Sequence, residues 1–373
     1  MRDVVIAGYA RSPFHLAGKG ALARVRPDDM AAAVVRGLVD RTGVNPADIE
    51  DLLMGCAFPE GEQGFNIARL VGLLADLPLT VGGMTINRFC GSSMSGIHYA
   101  AGQIQLGAGE VFICAGVESM SRVPMMGFNP MPNPALAKAS QAYIGMGDTA
   151  ENVAKAYGLS RAEQEEFAVL SQQKARDAIA AGKLADEIVP VAGVEADGTP
   201  RPDTTAEALA GLKPAFSADG TVTAGTSSPL TDGAAAVLVA SADYAAKHNL
   251  PVLARIRSVA ISGCAPEIMG IGPVASSQKA LARAGITVSD LDVVELNEAF
   301  ASQSIAVIRD LGLDMATVNI DGGAIAIGHP LGATGARIVG KAAALLKREG
   351  GKYALATQCI GGGQGIATVL EAI

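Results

Sequence analysis

Short apolar runs alternate with amphipathic stretches along most of this chain. Val4–Ala7, Leu52–Met54 and Val111–Ala115 are continuous apolar runs of strand length, whereas Asp28–Thr42 and Ser92–Leu106 carry apolar residues at helical spacing. A strand that is covered on both faces has such a continuous run, because both sets of side chains are buried. The pattern therefore predicts an α/β protein built around a largely buried sheet.

The early pattern recurs in the last third of the chain. Residues 44–58 align with residues 286–300 at a shift of 242, and residues 91–97 align with residues 332–338 at a shift of 241. Two pairs of segments that agree within one residue indicate an internal duplication. We expect the two copies to pack about a pseudo-twofold axis.

The segment between the copies loses this alternation. Residues 119–250 begin with a loop rich in proline and methionine, continue with two helical stretches and return to a strand pattern near 234–240. We predict an N-terminal half over 1–118, an inserted ligand-binding region over 119–250 that contains the closing strand of the first half, and a C-terminal half over 251–373.

Composition and charge narrow the class of protein. Of 373 residues, 49% are hydrophobic and 18% are charged, which is typical of a globular chain rather than a disordered one. Asp and Glu exceed Lys and Arg by 37 to 29 without a basic run, so nucleic acid is not an expected partner. Five scattered cysteines and four scattered histidines give neither a disulfide framework nor metal-ligand spacing.

The N-terminal segment also bears on localisation. Met1–Gly8 resembles a short strand more than a signal peptide, and no apolar run approaches the roughly 18–20 residues that a membrane span requires. We therefore expect a cytoplasmic protein that does not associate with a membrane.

Two glycine-rich turns and one upstream turn carry the candidate chemistry. His329 lies in the turn Gly328–Gly335, and Cys90 lies far upstream. Cys359 begins the turn Cys359–Gly365 and follows a predicted strand over Tyr353–Thr357. A cysteine with a distant histidine is the pattern of a nucleophile and its base. The duplication places Cys90 and His329 at corresponding strand-to-helix turns, so we expect the fold to bring them together.

Cys90 has the local setting of an activated thiol. It follows an apolar strand and begins a helix, where free N–H groups and the helix dipole favour the thiolate and are expected to lower its pKa. The alternative is a small buried hydrophobe, which is the commoner role of a lone cysteine. His329 could likewise be a structural histidine, and Glu298 a solvated or ion-paired carboxylate.

Taken together, these motifs resemble those of the thiolase family, over nearly the whole chain. The resemblance implies an α/β fold with duplicated αβαβα layers and an inserted loop domain. It rests on segments that follow one another in the family's order, namely the Cys90 turn, Met146–Glu151, Thr223–Ser228 with Asp232–Ala234, Asn297–Phe300, the His329 turn and the Cys359 turn.

The resemblance also implies roles for individual residues in a ping-pong reaction on coenzyme A thioesters. Cys90 would be acylated and His329 would take its proton. Cys359 would be the acid or base at the α-carbon. His329 and a water held by Asn297 would stabilise the enolate, and the backbone N–H groups of Cys90 and Gly361 would stabilise the tetrahedral intermediate.

Acyl-CoA and coenzyme A are the partners that the resemblance implies, as substrates, with no cofactor or metal. They would lie near Met146, Ala224, Ser228 and Phe300, with Arg201 as a partner for a phosphate. Ser228 also fits a plain turn residue, and Arg201 a solvated charge. The family further implies a homodimer or homotetramer.

Chain-length preference stays open in the sequence. The Cys90 region resembles the degradative branch, which acts on longer 3-oxoacyl-CoA in fatty acid β-oxidation; the alternative is a short-chain enzyme that condenses two acetyl-CoA. Asp321 stands where many relatives have asparagine, and Gly145 where many have a bulkier residue. Two rivals are a ketoacyl-carrier-protein condensing enzyme, against which Cys359 argues, and a non-catalytic acyl-CoA or lipid-binding protein.

Overall fold

A computed structural model describes residues 2–373 of the chain. Over these residues the strands form one sheet in the order β4-β3-β5-β6-β1-β7-β10-β9-β8, with β2 paired to β6. The strands are β1 Val4–Arg11, β2 His15–Leu16, β3 Asp51–Gly55, β4 Gly82–Ile86, β5 Val111–Ser119, β6 Thr231–Ser241, β7 Ala254–Gly263, β8 Val293–Leu296, β9 Tyr353–Ile360 and β10 Gln364–Glu371.

Helices pack on the outer faces of this sheet, and others pack in the middle of the molecule between its two halves. Capping signals define several of them: Pro27 begins α1 and the left-handed Gly43 follows it, while Ser160 and Glu163 form a capping box at the start of α6. The helices are α1 Pro27–Thr42, α2 Ile67–Leu74, α3 Ser92–Leu106, α4 Pro134–Ala139, α5 Met146–Ala156, α6 Arg161–Ala180, α7 Ala206–Ala210, α8 Ala242–Lys247, α9 Gly272–Ala284, α10 Ala301–Leu311, α11 Ala324–Ile327 and α12 Leu331–Glu349.

The topology repeats, as the sequence shift predicts. In the first half, β3 and β5 are parallel, and β5, β6 and β1 are successive antiparallel neighbours. In the second half, β8 and β9 are parallel, and β9, β10 and β7 are successive antiparallel neighbours. The two halves meet where Val5 and Ile6 of β1 pair with Arg255 and Ala254 of β7.

Five layers result, with α3 and α12 in the middle. Leu52 and Met54 of β3 pack with α1 and α2 on the outer face, whereas Leu53 packs with α3 and α12 on the inner face. This alternation follows from the two-residue period of a strand. Because α9 and α10 cover the far face of the second half, the order of layers is αβαβα. The predicted fold class is confirmed.

The inserted region adds mainly helices α4 to α7 beside the layers. Its closing strand is longer than the sequence pattern indicates, because β6 runs over Thr231–Ser241 rather than 234–240. In the same region α5 runs over Met146–Ala156, whereas the sequence pattern is helical from Thr149 onward. Among the described residues, the helices that are long enough to cross a membrane lack the required apolar character.

The start of α12 touches the sheet backbone directly. A Cβ at Gly116 of β5 would lie 2.0 Å from the carbonyl oxygen of Gly332, and a Cβ at Gly332 would lie 2.6 Å from the carbonyl oxygens of Gly55 and Val117. Contacts this short leave room for hydrogen only. The glycines therefore allow α12, and the loop before it, to sit against the ends of β3 and β5.

This contact predicts a large effect of a small substitution. We expect Gly116→Ala to lower the free energy of unfolding by about 1–3 kcal/mol or more, because backbone rather than a flexible side chain must move. Urea unfolding measures it. Gly102→Ala is the matched control: it is exposed in α3 with open space around it, and should be neutral or stabilising. Equal stability of both variants would contradict the close packing.

Candidate active site

Cys90 lies in a sharp turn between β4 and α3. The residue before it, Phe89, has a φ of 43°, in the left-handed region that a bulky side chain rarely adopts. Phe89–Gly91 form a 3₁₀ turn that leads directly into α3, and the Cys90 side chain is buried with only 8% of its surface exposed. Strained backbone of this kind collects at functional sites, since the surrounding structure must hold it.

The expectation of a low Cys90 pKa is wrong. Burial raises the pKa of the thiol to about 11, and the charge of Glu118 acts in the same direction. The backbone N–H groups of Gly361 and of Cys90 itself oppose this, but the loss of hydration is larger. Cys90 is therefore a thiol at neutral pH and needs a base to become a nucleophile.

Cys359 lies beside Cys90. Sequence reasoning placed it after a strand ending at Thr357, but β9 continues to Ile360, so Cys359 is inside the strand and fully buried. Burial raises its pKa well above the usual value, and the charge that Cys90 would carry raises it further. Two thiols that each disfavour ionisation of the other can hold one negative charge between them at a time.

Gly361 occupies the turn between β9 and β10, next to both thiols. Its N–H faces the sulfur of Cys90 and favours the thiolate. A Cβ at this position would lie 3.4 Å from Sδ of Met146 and 3.6 Å from the ring of Phe89. The N–H groups of Gly361 and Cys90 thus point at the same sulfur. An oxyanion formed beside that sulfur would also be within their reach.

His329 is buried in the loop between α11 and α12. Its Nδ1 lies 2.6 Å from Oγ1 of Thr334, and that hydroxyl donates to the carbonyl of Pro330 at 3.0 Å. Since the hydroxyl hydrogen is used, we assign the imidazole hydrogen to Nδ1, which leaves Nε2 unprotonated and able to accept a proton or a hydrogen bond. Burial, and then the charge of Arg337, lowers the pKa of His329 to about 3, so the ring is a neutral base at physiological pH.

Asn297 faces Nε2, the unprotonated nitrogen of His329. Its Nδ2 lies 3.3 Å from Nε2 of the imidazole, and its own Oδ1 is buried without a hydrogen-bond partner among the described residues. A buried amide oxygen without a partner can accept from a water or a ligand. The neighbouring Glu298 points elsewhere: it accepts from Ser171 and Asn319 and holds the backbone N–H of Ile325.

One contact relates the His329 loop to Cys90, and another relates Cys90 to the strand of Cys359. Leu331, two residues after His329, packs against Cys90. Gln358, the residue before Cys359, donates from its side-chain amide to the carbonyl of Cys90. The contacts thus place Cys90 with Cys359 and Gly361, and His329 with Asn297, while the catalytic roles of these five residues stay predictions. Sequence reasoning missed Gln358 and Thr334, although Thr334 lies in the same glycine-rich run as His329.

His329 predicts a pH dependence for alkylation of Cys90. In His329→Ala, we expect iodoacetamide to modify Cys90 at least ~10-fold more slowly near pH 7.5, with a rate that rises about tenfold per pH unit toward the thiol pKa of about 11. The wild-type rate should change less, because its base is neutral throughout this range. His248→Ala, exposed on the surface, is the control. Matching profiles for wild type and His329→Ala would exclude His329 as the base.

The residues predicted to bind the substrate divide into two groups. Met146 and Phe300 pack around Cys359 in one apolar cluster, so they line the reacting end of the site. Ala224 is exposed in a 3₁₀ turn, and both the N–H and the hydroxyl of Ser228 donate to the carbonyl of Ala299. Arg201 is an exposed residue, although partial burial of its guanidinium lowers the pKa, and it forms no ion pair with any residue of 2–373. Their role toward coenzyme A stays a prediction.

Asp321, the unusual acid before Gly322, is held away from the histidine. It lies 2.7 Å from Lys341 and receives two bonds from Arg348 at 2.6 and 2.8 Å. Burial alone would raise its pKa, but these two cations outweigh burial and lower it. Asp321 is therefore one member of a buried ion-pair cluster behind the site.

The site combines a thiol that can carry an acyl group, a neutral imidazole and a second thiol beside the first. This combination is typical of acyltransferases that use a cysteine. Comparison with known proteins gives the family. Residues 4–243 match the thiolase N-terminal domain, and residues 250–372 match the thiolase C-terminal domain. The chain belongs to the thiolase family.

Individual relatives resemble the whole chain. The 3-ketoacyl-CoA thiolase of Bacillus subtilis (strain 168) is 49% identical over 389 residues, which cover 100% of both chains. That of Idiomarina loihiensis is 47% identical over 390 residues, again 100% of both. The crystal structure of human mitochondrial 3-ketoacyl-CoA thiolase in complex with CoA has a TM-score of 0.93 at 39% identity, covering 100% of this chain and 98% of that one.

Proposed function

We propose that this protein is a thiolase that cleaves 3-oxoacyl-CoA with coenzyme A, giving acetyl-CoA and an acyl-CoA shortened by two carbons, in a reversible reaction. The observation that carries the proposal is the pair of adjacent buried thiols, Cys90 and Cys359, with the N–H of Gly361 directed at the sulfur of Cys90. The names of the relatives agree with it, since the chain matches 3-ketoacyl-CoA thiolases along its full length.

The first half-reaction breaks a carbon–carbon bond. His329 Nε2 takes the proton of Cys90, and the sulfur attacks the 3-oxo carbon, whose oxygen becomes an alkoxide facing the N–H groups of Cys90 and Gly361. Collapse of this intermediate breaks the bond between C2 and C3 and leaves an acyl group on Cys90. The enolate oxygen of acetyl-CoA lies at His329 and a water on Asn297, while the Cys359 thiol protonates C2.

The second half-reaction transfers the acyl group. The Cys359 thiolate accepts the proton of an incoming coenzyme A thiol, whose sulfur attacks the thioester on Cys90. The Cys90 thiolate leaves and recovers its proton from the imidazolium of His329. Both thiols and the imidazole then return to their starting protonation states, so no external acid, base or redox partner is consumed.

The positions of the other histidines argue against the carrier-protein condensing enzyme. That alternative uses histidines where this site has Cys359. His15 contacts the carbonyl of Ala196, His98 contacts Thr368, and His248 stacks on Tyr244. These contacts occupy the remaining histidines away from the thiol pair. The retention of both thiols with a neutral base also argues against a non-catalytic acyl-CoA-binding protein.

Chain length, physiological role and assembly are finer proposals. We favour the degradative role in fatty acid β-oxidation over condensation of two acetyl-CoA, because the relatives are named 3-ketoacyl-CoA thiolases. Apolar rings near the two thiols support this: beside Cys90, the centroids of Phe58 and Phe89 lie 5.8 Å apart, and Phe300, which packs with Cys359, lies 5.9 Å from Phe216. A cytoplasmic homodimer or homotetramer without a cofactor remains the expected form of the enzyme.

Thiolysis of a substrate series tests the proposal. We expect the purified protein to cleave 3-oxoacyl-CoA of about four to sixteen carbons in the presence of coenzyme A, with kcat/KM rising with chain length. Activity confined to the four-carbon substrate would instead support the short-chain role. Absence of cleavage at every length would overturn the proposed function.

A further inference from the structure

Glu118, near the end of β5, is a buried carboxylate outside the groups that touch substrate. Its side chain is 1% exposed, and no Lys or Arg pairs with it among residues 2–373. Burial raises its pKa, although several hydrogen bonds oppose this. Burying an acid without a cation is unfavourable unless its oxygens are fully hydrogen-bonded, so the donors that surround it indicate what it does.

Five donors, four N–H groups and one thiol, converge on the two carboxylate oxygens. Oε2 accepts from the backbone N–H of Ala57 at 2.8 Å and from that of Gly332 at 2.9 Å. Oε1 accepts from the N–H of Phe58 at 3.2 Å and from Nε2 of Gln63 at 2.8 Å. The thiol of Cys56 also faces Oε1, at 3.7 Å. Oε2 therefore has two donors and Oε1 has three, and every partner of the carboxyl group is a donor.

The donors belong to two different parts of the site. Ala57 packs against Cys90, and the ring of Phe58 lies against that of Phe89, so both form the wall of the nucleophile. Gly332 is the second residue of α12 and lies three residues after His329. A single carboxylate thus connects the wall beside the nucleophile to the helix start that carries the base.

The surrounding backbone leaves little alternative to this connection. Gly332 lies so close to the carbonyls of Gly55 and Val117 that a side chain there would collide with them. Its N–H is therefore the group that remains available for a hydrogen bond. A negative charge at the start of α12 is also favoured by the helix dipole. The sequence gives no sign of this hydrogen bond, because 214 residues separate Glu118 from Gly332.

We propose that Glu118 is a positioning residue: its carboxylate fixes the start of α12, and with it His329, against the wall of the Cys90 pocket. The proposal rests on the proposed function for its kinetic consequence. The role requires an acceptor-only group. In a glutamine, the NH₂ group would face the N–H groups of Ala57 and Gly332 in one orientation of the amide, and those of Phe58 and Gln63 in the other. Either the start of α12 or the part of the wall at Phe58 would therefore lose its bond to this side chain.

Substitution of Glu118 tests the proposal by kinetics. We expect Glu118→Gln to lower kcat by about 100-fold while KM changes by less than about threefold, because misplacement of the base affects the transition state more than substrate binding. Glu118→Asp keeps the acceptor but loses reach, and should lower kcat by about tenfold. Asp292→Asn is the control: it also removes a carboxylate that holds two backbone N–H groups, of Lys352 and Tyr353, and should keep the wild-type kcat.

Alkylation of Cys90 separates positioning of His329 from a general loss of structure. We expect Glu118→Gln to slow modification by iodoacetamide about tenfold or more in the wild-type background, and by less than about twofold in His329→Ala, since the two changes act through one group. A wild-type alkylation rate in both Glu118 variants, or an equal loss in the two backgrounds, would overturn the proposal. This assay needs no thioester, so it still tests Glu118 if the protein cleaves none and the proposed function fails.

Discussion

In Cys90→Ala, we expect thiolysis of 3-oxoacyl-CoA to fall by more than about 10⁴-fold, because the variant has no atom that can carry the acyl group. The alanine side chain fits the same buried turn, and the N–H groups of residues 90 and 361 stay in place. Binding of the substrate should therefore survive. Steady-state thiolysis and binding of acyl-CoA, measured by calorimetry, report the two effects separately.

Cys114 provides a matched control for Cys90. It is also a fully buried cysteine, but it lies in β5 among apolar side chains of the inner layers. Cys114→Ala should keep the wild-type kcat even if it loses some stability to the small cavity. Residual turnover in Cys90→Ala within tenfold of wild type would mean that the acyl group is carried elsewhere or that transfer is direct.

In Cys359→Ala, we expect the two halves of the chemistry to separate. The acid that protonates C2 of the departing enolate is gone, so cleavage of 3-oxoacyl-CoA should fall by about 10²–10⁴-fold. Acylation of Cys90 by a saturated acyl-CoA exchanges one thioester for another and forms no enolate. Coenzyme A can leave as a thiolate without the proton that Cys359 would supply, so acylation should be slower than in the wild type but should still occur, because Cys90, His329 and Gly361 are unchanged.

Mass spectrometry of the intact protein and a cleavage assay together measure this separation. An acyl adduct on Cys90 in Cys359→Ala, with little cleavage or condensation, is the expected result. Gln358→Met removes the hydrogen bond from the side-chain amide of residue 358 to the carbonyl of Cys90. It serves as a comparison for general disturbance of the same strand. Full condensation activity in Cys359→Ala would assign the proton transfer at carbon to another group.

Much of the architecture could be predicted because it depends on local and repeated patterns. A shift of 242 residues aligned residues 44–58 with residues 286–300, and the structure has parallel β3–β5 and β8–β9 pairs at the corresponding places. The catalytic candidates could be proposed for a similar reason: Cys90 and His329 lie in glycine-containing turns, Cys359 lies just before one, and such turns are visible in the sequence.

The errors concern effects that depend on the whole fold. The pKa of Cys90 was expected to be low from its helix start, but the inner layers bury the thiol and raise the pKa instead. The end of β9 was placed at Thr357 because the glycines that follow obscure the last pairs with β10. Glu118 gave no local signal, since its donors come from segments that only the folded chain brings together.

The most direct test of the account is the composition of the protein after one turnover without coenzyme A. Mixing enzyme with a 3-oxoacyl-CoA, stopping the reaction in acid and mapping the peptides should reveal one acyl group, two carbons shorter than the substrate, on Cys90. An equal amount of acetyl-CoA should be released. Acetyl-CoA release without an adduct on Cys90, or an adduct on Cys359 instead, would contradict the two-thiol mechanism.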